Sequence, residues 1–242
     1  MAVERDATTM EGTSSVLFAR PGRETELLSA IRSYMQALTA DRDLIFVDLH
    51  ATKHTDKFVL LEMYRDAQAR ARQFTSDHGR SWSEAAAELL TQESIIERIR
   101  PVMSLSLGCA RPNTDVEALE PRPTVCTVAG DAVPFGAFVR IFPRTATEPE
   151  FMPIVQRQGE IVAEKEPGYL FADFYRFDSP DQMLVLEYYD DRRSFSHHHT
   201  MEHTFEFVRI KEAGDYEAQK HQAFTIKPGE SFGPFARTFE VD

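Results

Sequence analysis

The chain carries one pattern twice. Asp43–Glu84 aligns with Gly168–Arg209 at a constant offset of 125 residues and without a gap. Phe46, Asp48, Asp56, Leu61, Glu62, Tyr64, Asp66, Thr75 and His78 fall on Phe171, Asp173, Asp181, Leu186, Glu187, Tyr189, Asp191, Thr200 and His203. The apolar run Phe58–Tyr64 has its counterpart in Met183–Tyr189. A period this long is not that of a solenoid; it marks a whole small domain used twice. The two copies then act as controls for each other, because a residue kept in both reads differently from one present in a single copy.

Composition narrows the classes. With 242 residues and 42% of them hydrophobic, the chain can fill two domain cores. A net charge of -12 leaves no basic stripe to neutralise phosphates, so no nucleic-acid partner is expected. It also disfavours an anionic membrane surface, and no apolar run is long enough to span a bilayer. The acidic start, Met1–Glu11, has no apolar core and reads as part of a disordered tail over residues 1–13 of a cytoplasmic protein rather than a secretory signal. Cys109 and Cys126 lie between the copies without neighbouring histidines, which suits neither a core disulfide nor a zinc site.

Each copy reads β-α-β-β-α with a closing strand. In the first, Ser14–Arg20 is a strand ended by Pro21-Gly22. Leu27, Leu28, Ile31, Met35 and Leu38 follow at helical spacing. Leu44–His50 and Lys57–Tyr64 form a hairpin, and Asp66 caps a helix over Ala67–Phe74 that breaks around Ser76–Gly79 and resumes over Ser81–Thr91. Pro101–Leu107 is the expected last strand. The second copy begins at Gly136–Phe142 and continues with a helix from Pro149 to about Lys165, a hairpin around Asp178–Asp181, and Asp191 as a helix cap. It is expected to be three residues longer between its first strand and its hairpin. These readings divide the chain into a tail (1–13), a first domain (14–108), a proline-rich linker (109–134) and a second domain (135–242). The apolar end, Phe232, Phe235 and Phe239, is expected to pack on the body.

The segments Leu61-Glu-Met-Tyr-Arg-Asp66 and Leu186-Glu-Tyr-Tyr-Asp-Asp191, each a strand ending Glu-x-aromatic followed by a capped helix, resemble the antibiotic biosynthesis monooxygenase domain. So do His198 and His203, at eleven residues after the glutamate and five further on, and Glu166-Pro167-Gly168 ahead of a strand. The first copy has Gln73 and His78 at the histidine positions, and Asp41-Arg42-Asp43 before its strand. The resemblance implies an α+β chain of two ferredoxin-like β-α-β-β-α-β domains whose antiparallel sheets pair into an intrachain α+β barrel. It also implies a cofactor-free oxygenase acting on an electron-rich aromatic of anthrone or quinol type, with dioxygen as co-substrate. The same fold admits a polyketide cyclase or lyase, and a binding protein with both sites degenerate; two such chains could also pair as a homodimer.

Direct oxygenation needs a base to take a proton, donors to hold the resulting anion, and apolar walls to exclude water. The catalytic candidates are His198, His203 and Tyr189. His198 reads equally as a surface helix histidine, and His203, repeated as His78, as a structural cap. Substrate-binding candidates are Tyr64, His78, Trp82 and Glu187, against the plainer readings of core aromatics and of mid-strand carboxylates that accept hydrogen bonds. Within His197–His203, His199 and His203 are four apart and share a helix face, but no carboxylate partner is evident, so no metal and no cofactor are expected.

Overall fold

The structure, a computed structural model, describes residues 10–106, 109–112, 124–128, 130–143, 148–178, 182–206, 216–218, 224–233 and 236–241. These residues fall into two units. The first lies within Met1–Ile99, Glu117–Val125 and Pro228–Thr238; the second lies within Arg100–Val116, Cys126–Lys227 and Phe239–Asp242.

The first unit contains β1 (Glu11–Phe18), α1 (Glu24–Leu38), β2 (Leu44–Thr52), β3 (Lys57–Tyr64), α2 (Ala67–Thr75), α3 (Asp77–Leu89) and the first half of β4 (Ile95–Ser106). Its antiparallel strands lie in the order β4-β1-β3-β2, the arrangement of a ferredoxin-like domain. Short strands β5 (Cys109–Pro112) and β6 (Thr124–Val128) follow. The second unit is built from β7 (Phe135–Pro143), α4 (Glu148–Lys165), β8 (Tyr169–Phe177), β9 (Met183–Tyr189) and α5 (Arg192–His198). Its closing strand is the first half of β11 (Phe224–Phe232), and β11-β7-β9-β8 repeats the order of the first unit. A short β10 (Tyr216–Ala218) also pairs with β7, and β12 (Arg237–Val241) pairs with β6. The α+β class and the ferredoxin-like repeat are those expected from the sequence. No helix among the described residues is long and apolar enough to cross a membrane.

Local chemistry explains the elements. Leu27, Ile31, Met35 and Leu38 of α1 all have zero exposure against the first sheet, and each such side chain contributes about 1.5–3 kcal/mol of burial. Asp66 and Asp191 cap α2 and α5 by accepting the amides of Ala69 (2.6 Å) and Ser194 (2.7 Å). Ser76 ends α2 and caps α3, accepting from Gly79 N–H, so the helix break stands at Ser76 and α3 begins earlier than its apolar pattern suggests. A β-bulge recurs where each hairpin enters, between Leu44 and Phe46 and between Tyr169 and Phe171, and sets Tyr169 opposite Tyr189.

Several boundaries differ from expectation. β1 starts at Glu11, so the first domain does not begin at 14 and residues 11–13 are not tail; residues 1–9 of that tail lie outside the described residues. β4 begins at Ile95 rather than at Pro101, because Ile95–Ile99 pairs with β1. The expected linker contains strands β5 and β6. Phe232 packs against the first core; Phe235 and the side chain of Phe239 lie outside the described residues.

Cross-strand registers also revise the alignment of the copies. Glu11 pairs with Tyr64 and Phe135 with Tyr189, so the first strands correspond at an offset of 124 and Gly12 falls on Gly136. The helices keep that offset: buried Ile31, Met35 and Leu38 match buried Val155, Gly159 and Val162. The amide of Asp41 then donates to Leu38 and that of Glu166 to Val162. The second copy is therefore longer by a single residue, inserted at the end of its helix, and not by three. On this alignment Tyr34 corresponds to Gln158 and Met35 to Gly159.

Candidate functional site

In the first unit the space between helices and sheet is filled by polar side chains that satisfy one another. The Tyr34 hydroxyl donates to Glu62 Oε1 at 2.6 Å and the Tyr64 hydroxyl donates to the same oxygen at 3.0 Å. Gln73 Nε2 donates to the Tyr34 oxygen at 3.2 Å, and His78 Nε2 meets Gln73 Oε1 at 2.6 Å. Trp82 stacks on Tyr34 with ring centroids 5.3 Å apart. Burial pushes the Glu62 carboxyl up, against the two tyrosine hydroxyls that hold it down. Tyr64, His78 and Trp82, expected at a substrate site, are thus members of a closed core network. Tyr34→Phe is expected to destabilise the first unit by about 1–3 kcal/mol, because Gln73 loses its acceptor and Glu62 one donor; urea unfolding checks it, and a loss under about 0.5 kcal/mol would contradict a closed network.

The second unit places different side chains in the same frame and leaves a cavity of about 180 Å³. Val139, Ile141, Val155, Val162 and Phe174 make its apolar walls. Glu187 and Tyr189 reach it from β9, His198 from the last turn of α5, and Gln158 and Gly159 from α4. The opening has a sequence cause: α4 presents Gln158 and Gly159 where α1 presents Tyr34 and Met35.

His198 is 8% exposed, so the surface-histidine reading fails for it, and His203 is buried as well at 7%. Each meets Glu166, itself 3% exposed. His198 Nδ1 lies 2.9 Å from Glu166 Oε1, and His203 Nε2 lies 2.6 Å from the same oxygen. Burial raises the Glu166 carboxyl, but the hydrogen bonds and charges of the two imidazoles outweigh it, and the group sits below its ordinary range. For His198, burial opposes protonation; the hydrogen bond to Glu166 and the charges of Glu187 and Glu166 prevail and raise it above 6.5. Tyr189 packs beside the His198 ring at 5.3 Å, and burial foremost keeps its phenol far above ordinary titration, a neutral donor.

The structure therefore gathers His198, His203, Tyr189 and Glu187 in one unit and leaves Tyr64, His78 and Trp82 in the other. Sequence reasoning missed Glu166 as a site residue, although Glu166-Pro167-Gly168 was visible, and missed Gln158 and Gly159. It also paired His199 with His203, whereas the cluster is Glu166, His198 and His203, whose ligand-type atoms lie within 4.8 Å of one another. These are the residues that could hold a metal, and Glu166 is the carboxylate that the sequence did not reveal. In the present arrangement they bond to one another instead: two ligands of one tetrahedral zinc stand roughly 3.4 Å apart, farther than the 2.6 Å between His203 and Glu166.

The fold and site define a ferredoxin-like domain repeated in tandem, with an open, histidine-bearing cavity in the second unit and a filled interior in the first. Residues 134–209, most of the second repeat, match the antibiotic biosynthesis monooxygenase family. The chain is also similar to three solved structures along nearly its whole length. One, provisionally described as a monooxygenase, from Lactobacillus acidophilus NCFM, is 12% identical with a TM-score of 0.67, covering 94% of this chain and 98% of that one. A second of the same description, from Fusobacterium nucleatum, is 10% identical with a TM-score of 0.71 over 95% and 96%. An anthrone oxidase-like protein is 10% identical with a TM-score of 0.61 over 95% of each chain. At these identities the likeness is one of fold. No curated protein sequence matches the chain.

Proposed function

We propose that the protein is a cofactor-independent monooxygenase of an electron-rich aromatic substrate, of anthrone or quinol type, working in the cavity of the second unit. The observation that carries this reading is the Glu166–His198 pair at the cavity wall. With Nδ1 held by Glu166, the His198 ring, which lines the cavity, is fixed in orientation, and Nε2, which has no hydrogen-bond partner among the described residues, is the nitrogen left to meet a substrate. Such an imidazole is a general base whose protonated form the carboxylate stabilises.

The residues divide the chemistry among them. His198 removes a proton from the substrate, and the delocalised anion passes an electron to dioxygen. For a methylene centre, CH₂ and O₂ then yield a carbonyl and water, which balances without a further reductant. Tyr189 donates its hydroxyl to the developing anion. The apolar walls keep water from the radical pair. His203 holds Glu166 from a second direction, a positioning role. The anthrone oxidase-like neighbour supports the substrate class by analogy only.

Oxygen uptake by purified, metal-stripped protein supplied with an anthrone or a dihydroquinone tests the reading. Enzyme-dependent uptake is expected, with one oxygen atom recovered in the product when ¹⁸O₂ is used. Absence of uptake across several such substrates would overturn it in favour of a cyclase or a binding protein. Uptake that returns only on adding a metal would overturn its cofactor-independent part.

A further inference from the structure

The two copies differ in one respect that identifies how a ligand is held. In the first unit the Tyr34 phenol lies between Glu62, to which its hydroxyl donates, and Gln73, from which its oxygen accepts, with its ring against Trp82. In the second unit the glutamate that accepted from that phenol remains, a histidine takes the place of Gln73, and the phenol is gone. Glu187 stands for Glu62, His198 for Gln73 and Tyr189 for Tyr64, while Gln158 and Gly159 replace Tyr34 and Met35.

What is left shows unmet demand. The Tyr189 hydroxyl is fully buried and has no hydrogen-bond partner among the described residues, although Tyr64, at the same place, donates to Glu62. Gln158 Nε2 is a second buried donor without a partner among the described residues. Both residues line the cavity, as does Glu187, which has no hydrogen bond among the described residues. Native interiors rarely leave such groups unpaired, and two in one cavity point to a ligand that pairs them.

We propose that the second unit binds the hydroxyl of an aromatic ligand in the pose that the Tyr34 side chain takes in the first, with Glu187 as the acceptor that selects for that hydroxyl. The inference rests on the reading that this cavity is the substrate site, and it adds the selecting residue and the orientation. The ligand's hydroxyl donates to Glu187, its oxygen accepts from Tyr189, and His198 stands where Gln73 touches the Tyr34 oxygen. The ring fills the volume that Gln158 and Gly159 vacate. Gln158 Nε2 is then free to donate to a second oxygen on the ligand. The first unit is a site permanently occupied by its own side chain.

Anaerobic binding tests this without requiring turnover. The probes are 2-naphthol and its methyl ether, measured by calorimetry against the intact protein. Wild type is expected to bind the naphthol at least tenfold more tightly than the ether, and Glu187→Gln to reduce that preference to threefold or less. The double variant Gln158→Tyr with Gly159→Met rebuilds the plug of the first unit and is expected to lose naphthol binding. Equal binding of naphthol and ether by wild type, an undiminished preference in Glu187→Gln, or full binding by a folded double variant would each overturn the proposal. Should the double variant not fold, the Glu187→Gln ratio decides alone. A hydroxyl preference without any oxygen uptake would sink the oxygenase reading and leave this inference standing; uptake without the preference would do the reverse.

Discussion

His198→Ala is expected to lower enzyme-dependent oxygen uptake by about 10²–10⁴-fold, the usual contribution of a positioned general base. Glu166→Gln is expected to retain the cavity and lose about 10–10²-fold, because the amide keeps a hydrogen bond to Nδ1 but cannot stabilise the imidazolium by charge. The pH profile separates a base from a merely structural histidine. His198 acts as a base only when neutral, and Glu166 and Glu187 raise it, so wild-type activity is expected to rise through a limb centred above pH 6.5. Without the Glu166 charge, burial depresses the imidazole, and that limb is expected to move to lower pH. A profile that stays in place in Glu166→Gln would refute the pairing as the source of the limb.

The same groups set a stability window. His198 is raised in the folded state, so its contribution is complete below its ordinary value of 6.5 and is lost as pH rises through the raised value. Glu166 is lowered, so its contribution is complete above 4.5 and is lost as pH falls through the lowered value. Their joint contribution is therefore greatest between about pH 4.5 and 6.5. The charged and titratable neighbours that face His198 are Glu166, Glu187, His199, His203 and Tyr189, and of these Glu166 makes the hydrogen bond. Denaturant titrations carried below and above this window should show both limbs in wild type and flatter ones in Glu166→Gln. Removing the carboxylate altogether, in Glu166→Ala, is expected to cost about 3–5 kcal/mol, because two buried imidazoles lose their partner.

Gly136→Ala is the second large effect. A Cβ at Gly136 would stand far inside van der Waals contact with the Glu187 carbonyl oxygen and against the Tyr188 ring. Neither can yield easily, since one is backbone of the neighbouring strand and the other is fully buried. The strands β7 and β9 would have to separate at the residue whose carboxylate reaches the cavity. A loss of more than about 3 kcal/mol is expected, in the range reserved for backbone overlap in a core, together with loss of ligand binding. Gly12→Ala makes the same overlap with the Glu62 carbonyl and should destabilise the first unit to a similar degree. A change below 1 kcal/mol in either variant would show that the strands do not approach this closely. The equivalence of these two glycines could not be read from the alignment, because it depends on which residues of β1 and β3 stand opposite each other.

What could be read from the sequence, and what could not, divides along the range of the interactions. The repeat, the order of elements and the helix caps at Asp66 and Asp191 follow from local pattern: apolar periodicity, turn residues, and a carboxylate one residue before a helix. Such features persist in any fold that uses them, so one chain suffices to read them. The site was half legible on the same terms. His198, His203, Tyr189 and Glu187 sit in the repeated motif itself, and comparing copies singled them out. Glu166 did not stand out, since it lies 32 residues from His198 and nothing local marks it as its partner.

Tertiary structure alone decided which copy is open. By sequence, Gln73 in place of a histidine already favoured the second copy as the working one, yet Tyr64, His78 and Trp82 still read as ligand-binding residues, and only packing shows that Tyr34 and Trp82 already fill that interior. The outcome turns on Tyr34 and Met35 against Gln158 and Gly159, a difference concealed by an alignment that gave the second copy three extra residues where the registers show one. Volume and hydrogen-bond satisfaction belong to a place in space rather than to a position in the chain. The sequence therefore determined that this protein is one small domain built twice, and three-dimensional packing made one copy a filled core and left the other an open cavity.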